Sequence, residues 1–126
     1  FEALAPGDPR ADALYGAWHL GIVRAAGDGR FGASLEEGMA HYDAAIAAMP
    51  QDIVIMSNYA FSLIVMDDPA LLPRATELLH RIEATEPVGA TERETRDRML
   101  SLLTVIDDLD ALQHRAKGLL NTEEPA

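Results

Sequence analysis

The sequence predicts an all-α fold of antiparallel helical hairpins, about six helices in all, and three observations point there. Alanine fills 21 of the 126 positions and leucine is abundant, and both are strong helix formers. Apolar residues recur at spacings of three and four rather than two, which is the period of a helix face. Capping and breaking residues then cut the chain into short segments joined by short turns, a layout that packs consecutive helices as hairpins.

Taken in order, Asp8-Pro9 places an N-cap before a proline at the first helical position, opening a helix from about Pro9 to Ala26. The run Gly27-Asp28-Gly29-Arg30-Phe31-Gly32 ends it in a turn. Ser34-Leu35-Glu36-Glu37 is a capping box for a second helix that stops at Pro50. Asp52 caps a third, about Ile53 to Met66, which Asp67-Asp68-Pro69 terminates. A fourth runs from near Pro73 to Ala84, with an initial turn at Pro69 to Leu72 left open because Pro73 has no N–H to give it. Thr91-Glu92-Arg93-Glu94 reads as a second capping box, opening a fifth helix to about Ile106. Asp107 or Asp108 caps a sixth to about Leu120, and Asn121 to Ala126 is expected to fray.

Composition limits what such a domain does. A chain of 126 residues buries enough apolar surface to fold without disulfides or metal. The formal charge of −11, with nine arginines and one lysine scattered singly, argues against nucleic acid or an anionic membrane as partner. The acids gather in caps, turns and outer helix faces, which reads as a solubility feature. Without cysteine there is no disulfide framework, no thiol chemistry and no Cys-ligated zinc. The longest apolar stretch, Ile53 to Met66, spans about 21 Å as a helix against a hydrocarbon core of about 30 Å, so membrane insertion is not expected. No charged-then-apolar leader is read in these residues. Phe1 to Asp8 reads as a helix tail entering a turn, and a longer array upstream is expected.

A repeat emerges when the chain is laid against itself. Prolines closing alternate helices fall at Pro6, Pro50 and Pro87, at intervals of 44 and 37 residues. Before Pro50 stands Gly38-x3-Tyr42-x2-Ala45-x4, and before Pro87 stands Ala75-x3-Leu79-x2-Ile82-x4, at identical spacing. The preceding helices carry Tyr15-Gly16-x2-His19 and Tyr59-Ala60-x2-Leu63. These residues resemble the tetratricopeptide repeat, a helix–turn–helix unit of about 34 residues with the pattern W-x2-L-G-x2-Y…A-x3-F…P. The resemblance covers units at about 9–50 and 53–87, and a degenerate capping unit at 90–120, where Arg96 and Asp97 replace the large-small pair. The first unit is about ten residues longer than the family's and the second about three. A non-repetitive helical bundle is the alternative for the same segments.

The resemblance implies a single repeat domain over residues 1–126, stacked as a short right-handed α-solenoid. Small residues Gly16, Gly38, Ala45, Ala60 and Ala75 are expected where helices approach closely, with Tyr15, Tyr42, Tyr59 and Leu79 filling the gaps between them. The third helix, apolar nearly all round, is expected at the centre. The resemblance further implies a non-enzymatic scaffold whose first helices line a concave groove for a peptide or partner helix. Its groove slots fall on Leu14 and Ala17, on Ser57, Asn58, Phe61 and Val65, and on Glu94 and Arg98. Asn58 is the most family-like, because an asparagine there bonds the main chain of a bound peptide. The apolar members are alternatively plain core. Family members that clamp a C-terminal carboxylate use several lysines, whereas Lys117 is the single lysine here and lies outside the groove. An apolar occupant is therefore expected, with a second copy of the chain as the alternative.

Catalytic, cofactor and metal residues are not assigned. Glu37 and His41 lie four apart on one helix, but nothing completes a tetrahedral set, and a solvated i,i+4 contact is the expected reading. His19 reads as a packed ring with one satisfied nitrogen, and His80 and His114 as surface residues. Ser34 and Thr91 are taken up as caps, and Ser57, Ser62 and Ser101 have no histidine at an interpretable spacing. Gly27, Gly29 and Gly32 lack the strand and lysine of a phosphate loop, and Asp107-Asp108-Leu109-Asp110 lacks the glycine and distal glutamate of a calcium loop. A helical enzyme or metal protein is thus the least favoured class.

Overall fold

Side-chain caps set most helix starts in the computed structural model, which describes residues 8–123, with side chains through Leu119. Six α-helices and no strand occur among the described residues: α1 (Pro9–Ala26), α2 (Leu35–Ala48), α3 (Ile53–Ile64), α4 (Leu72–Glu83), α5 (Gly89–Leu103) and α6 (Leu109–Glu123). Asp8 accepts from the Arg10 N–H, Ser34 from Glu37, Asp52 from Ile55 and Asp108 from Ala111, each at 2.9–3.1 Å. Each oxygen thereby satisfies a donor that has no partner inside its helix. The Phe1 to Pro6 tail expected from the sequence lies outside the described residues, as do the last three.

Several boundaries differ from the sequence reading. α3 ends at Ile64, two residues early, because Asp67 adopts φ 59° and its N–H turns back onto the Ile64 carbonyl at 3.1 Å. Aspartate is one of the few side chains that tolerates this left-handed region. Pro69–Leu71 form a 3₁₀ turn capped by Asp68, leading directly into α4. Thr91 is not a cap. Gly89, at φ 87°, turns the chain into α5 three residues sooner, and the Val88 N–H donates to Glu92 Oε1 at 2.8 Å. The carboxylate reaches back as in a capping box, with no hydroxyl partner. α5 also closes at Leu103 rather than near Ile106.

α1 and α2 pack as one hairpin and α3 and α4 as another, while α1 also lies against α3, and α3 against α5. Each second helix packs on the following first helix, α2 on α3 and α4 on α5. α3 is central as its composition demands: it touches α1, α2, α4, α5 and α6, and eight of its residues, among them Ile53, Tyr59 and Leu63, are buried. Tyr42 and Tyr59 stack at its flank with centroids 4.7 Å apart and rings 5° from parallel. The Tyr59 hydroxyl donates to Asp43 at 3.0 Å, and Arg74 closes on both, 2.7 Å from that carboxylate and 5.5 Å above the Tyr59 ring. That cluster ties α2, α3 and α4 together.

Two of the predicted small residues, Gly16 and Gly38, sit where α1 and α2 approach closely. A Cβ on Gly16 would lie 2.7 Å from the Tyr42 ring, and one on Gly38 2.8 Å from Leu20. Tyr15 departs from the expectation: it is 39% exposed and fills no gap between hairpins, because its ring lies instead against His41 at 5.4 Å. In the third unit, polar side chains cap the C-terminal carbonyls of neighbouring helices. Arg96 donates to Glu83 O at 2.7 Å on α4, Arg115 to Ser101 O at 2.8 Å on α5, and buried Gln113 to Ile64 O at 2.7 Å on α3. Arg96, which breaks the large-small pair of the repeat, thereby satisfies an orphan acceptor.

Candidate functional site

Two concave features flank α1. Along its α3 side, Arg10, Ala13, Leu14, Ala17, Ile55 and Asn58 border a depression of about 320 Å³. Ala17 also borders a second, of about 170 Å³, with Arg24, Phe61 and Val65. The two share Ala17 on their borders and together mark one groove along the contact of α1 with α3. From Leu14 to Arg24 it extends about 15 Å at the rise of an α-helix. Leu14, Ala17 and Asn58 are exposed, and Phe61 and Val65 are half-buried with one side packed on the core.

The structure thus brings together five of the eight residues expected to line a groove. Ser57 is not among them: it is 2% exposed and its hydroxyl is turned inward. On α3 the outer stripe is Val54, Asn58, Phe61 and Val65, and a helix rotates about 100° per residue, so Ser57 falls on the inner stripe with Ile53, Ala60 and Ile64. Glu94 is exposed and Arg98 half-buried on α5, and neither borders this groove.

The second feature opens between α1 and α2, a cleft of about 640 Å³ lined by Tyr15, Trp18, His19, Gly32, Glu37 and His41. Its floor is fixed by the capping of α2. Where a capping box would send Glu37 back to the Ser34 N–H, that N–H donates instead to His19 Nδ1 at 3.0 Å. His19 Nδ1 therefore carries no proton, and the proton of the neutral ring sits on Nε2, which faces Glu37 Oε2 at 3.7 Å. The expectation for His19, a packed ring with one satisfied nitrogen, matches a ring only 7% exposed.

Glu37 and His41 do not pair with one another. His41 Nδ1 turns across the hairpin to Asp12 Oδ1 at 3.0 Å, since the facing helix offers a closer partner than its own helix does. With the carboxylate as acceptor, His41 donates its Nδ1–H to Asp12. Four rings then follow one another along the cleft: Tyr15 to His41 at 5.4 Å, His41 stacked on His19 at 5.7 Å, and His19 edge-on to Trp18 at 4.9 Å. Tyr15 and Trp18 are each 39% exposed at its mouth. Beside it, Phe31 is 74% exposed at φ 56° in the 3₁₀ turn Arg30–Gly32, a conformation that aromatic residues rarely hold.

Chemically, the cleft presents two aromatic rings, two imidazoles and a carboxylate. The Asp12–His41 contact orients an imidazole as a carboxylate orients a catalytic base, yet no serine or threonine stands among the lining residues to be activated. Among the described residues no group of three or more His, Cys, Asp or Glu could hold a metal ion. His80 pairs along its own helix with Glu83, and His114 is exposed, as expected of surface residues. The cleft was not read from the sequence. Its traces were the chain's single tryptophan three residues after Tyr15 and beside His19, with Glu37 and His41 one turn apart on the facing helix.

Fold and site together define an all-α protein of packed helical hairpins with a groove and a ring-lined cleft on either side of one helix. No protein-family model, curated protein or solved structure matches the chain.

Proposed function

We propose that the chain is a tetratricopeptide-like helical repeat module that binds an apolar peptide segment of a protein partner in the α1–α3 groove. The observation that carries this reading is the pair of depressions that share Ala17 and lie along the contact of α1 with α3, the first helices of consecutive hairpins. The order of packing supports it, since each first helix lies beside the next and each second helix packs on the following first. A stacked repeat calls for that order of neighbours. Leu14, Ile55, Phe61 and Val65 supply apolar area, Asn58 offers an exposed amide to a peptide main chain, and Arg24 places a cation at one end for an acidic residue of the segment.

Ala17→Leu tests this without touching the core, because Ala17 is exposed and leucine is a good helix former. Displayed random peptides selected on the protein should be enriched in apolar residues with an acidic neighbour. Both Ala17→Leu and Asn58→Ala should weaken the selected peptides about tenfold, which is about 1.4 kcal/mol. Peptides that bind Ala17→Leu as tightly as the parent would overturn the groove assignment. Light scattering at several concentrations adds a second check: a dimer dispersed by Ala17→Leu would make the occupant a second copy of the chain.

A further inference from the structure

We propose that the α1–α2 cleft is a binding site for an organic cation, its alkylammonium head held against the rings of Tyr15 and Trp18 and countered by Glu37. This site is separate from the α1–α3 groove and does not depend on that groove's function.

Four observations converge on a cation. First, the charge at the cleft is of one sign. Glu37 lines it, Asp12 lies behind His41, and no lysine or arginine is among the lining residues. An anion would face two carboxylates and the negative faces of the rings. Second, the Glu37 carboxylate is free to take a ligand. Its nearest donor, His19 Nε2, stands at 3.7 Å, beyond hydrogen-bond reach, and its side chain is 65% exposed. Third, the two histidine rings are held in place by contacts of their own, which fix the wall of the cleft. Ser34 holds His19 through Nδ1 and Asp12 holds His41 through Nδ1, so in each ring Nδ1 is already engaged. Fourth, the single tryptophan of the chain and a tyrosine are left half-exposed at the mouth, braced edge-on and tilted against those two rings.

A tryptophan or tyrosine face attracts a cation within about 6 Å of its centroid, and the attraction grows as water is excluded. A neutral aromatic ligand would cover the same rings but would strip water from Glu37 without replacing it, which costs free energy. An alkylammonium meets both requirements, its methyl or methylene groups on the rings and its charge near the carboxylate. The same chemistry is presented by a free small amine and by a lysine side chain of a protein, methylated or not.

Trp18 is the only tryptophan, so its fluorescence reads the cleft directly. Titration with choline should change the emission saturably in the millimolar range. Choline's uncharged carbon isostere, with a tert-butyl group in place of the trimethylammonium head, should bind at least about tenfold more weakly. Glu37→Gln is an exposed, nearly isosteric change and should lower choline affinity about five- to tenfold, with the effect shrinking as salt is raised. Tyr15→Leu, followed by calorimetry, should lower it by a similar factor. A peptide carrying trimethyl-lysine that binds tenfold tighter than choline would identify a protein side chain as the source of the cation, and equal affinities would identify a free amine. The proposal is overturned if choline gives no saturable response, if the neutral isostere matches it, or if Glu37→Gln binds choline as the parent does. A groove-directed peptide that still binds Glu37→Gln normally would confirm that the two sites fail independently.

Discussion

Replacing Tyr59 with alanine should lower stability by about 3–5 kcal/mol, the range for removing a large buried aromatic. The ring is fully buried, stacks on Tyr42 at 4.7 Å, and carries the guanidinium of Arg74 at 5.5 Å from its centroid. Its loss opens a cavity where α2, α3 and α4 converge, and the closely packed neighbours cannot close it. Tyr59→Phe separates ring from hydroxyl. It keeps the stack and removes the hydroxyl's interactions with Asp43 and Arg74, so a cost of about 1 kcal/mol is expected. Urea denaturation followed by circular dichroism measures both. Comparable losses in the two variants would place the contribution in the hydroxyl network rather than in the packed ring.

The same residue sets an alkaline limit. Burial pushes the Tyr59 phenol up to about 12, with the Asp43 carboxylate adding to the effect and Arg74 opposing it. An unfolded chain releases that proton near the ordinary phenol value of about 10. Below that value both states hold the proton and the full contribution is present. Between about 10 and 12 only the unfolded state ionises, so stability falls as pH rises through this window. Tyr42 is shifted upward as well, by burial, and its fall should persist in Tyr59→Phe. A Tyr59→Phe protein with an unchanged alkaline slope would remove Tyr59 from this role.

What the sequence made legible was local. Asp8, Ser34, Asp52 and Asp108 each cap a donor two or three residues away, so residue type and spacing were sufficient. Leu14, Ala17, Asn58, Phe61 and Val65 are groove slots implied by the resemblance to the repeat, and they border the depressions where the family slot coincides with an outward stripe of a single helix. Ser57 was assigned to the groove through a repeat pattern, and one position of offset turned it inward. Glu94 and Arg98 were carried over in the unit where Arg96 caps α4 instead of packing, so the pattern had lost its geometric meaning there. The cleft was illegible for a different reason. Its defining contacts, His41 to Asp12 and Ser34 to His19, join residues 29 and 15 apart, across a hairpin whose register no local signal specifies.

That register depends on contact between two glycines, and Gly16→Val should cost about 3 kcal/mol, the upper end of the usual overpacking range. A Cβ there would meet the Tyr42 ring at 2.7 and 2.9 Å and the Gly38 carbonyl oxygen at 3.0 Å. Neither neighbour can yield cheaply, since Tyr42 is buried against Tyr59 and the other atom is backbone. The remaining response is for α1 and α2 to separate, which also parts His19 from Ser34 and Tyr15 from His41. The choline response of Trp18 should therefore weaken in Gly16→Val even at temperatures where the protein is still folded. Gly21→Ala supplies the contrast. It lies on the same helix with nothing within 4 Å of its would-be Cβ, so only helix propensity acts and stability should rise by about 0.5–1 kcal/mol. Opposite signs from two glycines five residues apart would locate the close approach at Gly16. A shift of the same sign and size from both would mean that backbone freedom, rather than the contact of α1 with α2, decides the outcome.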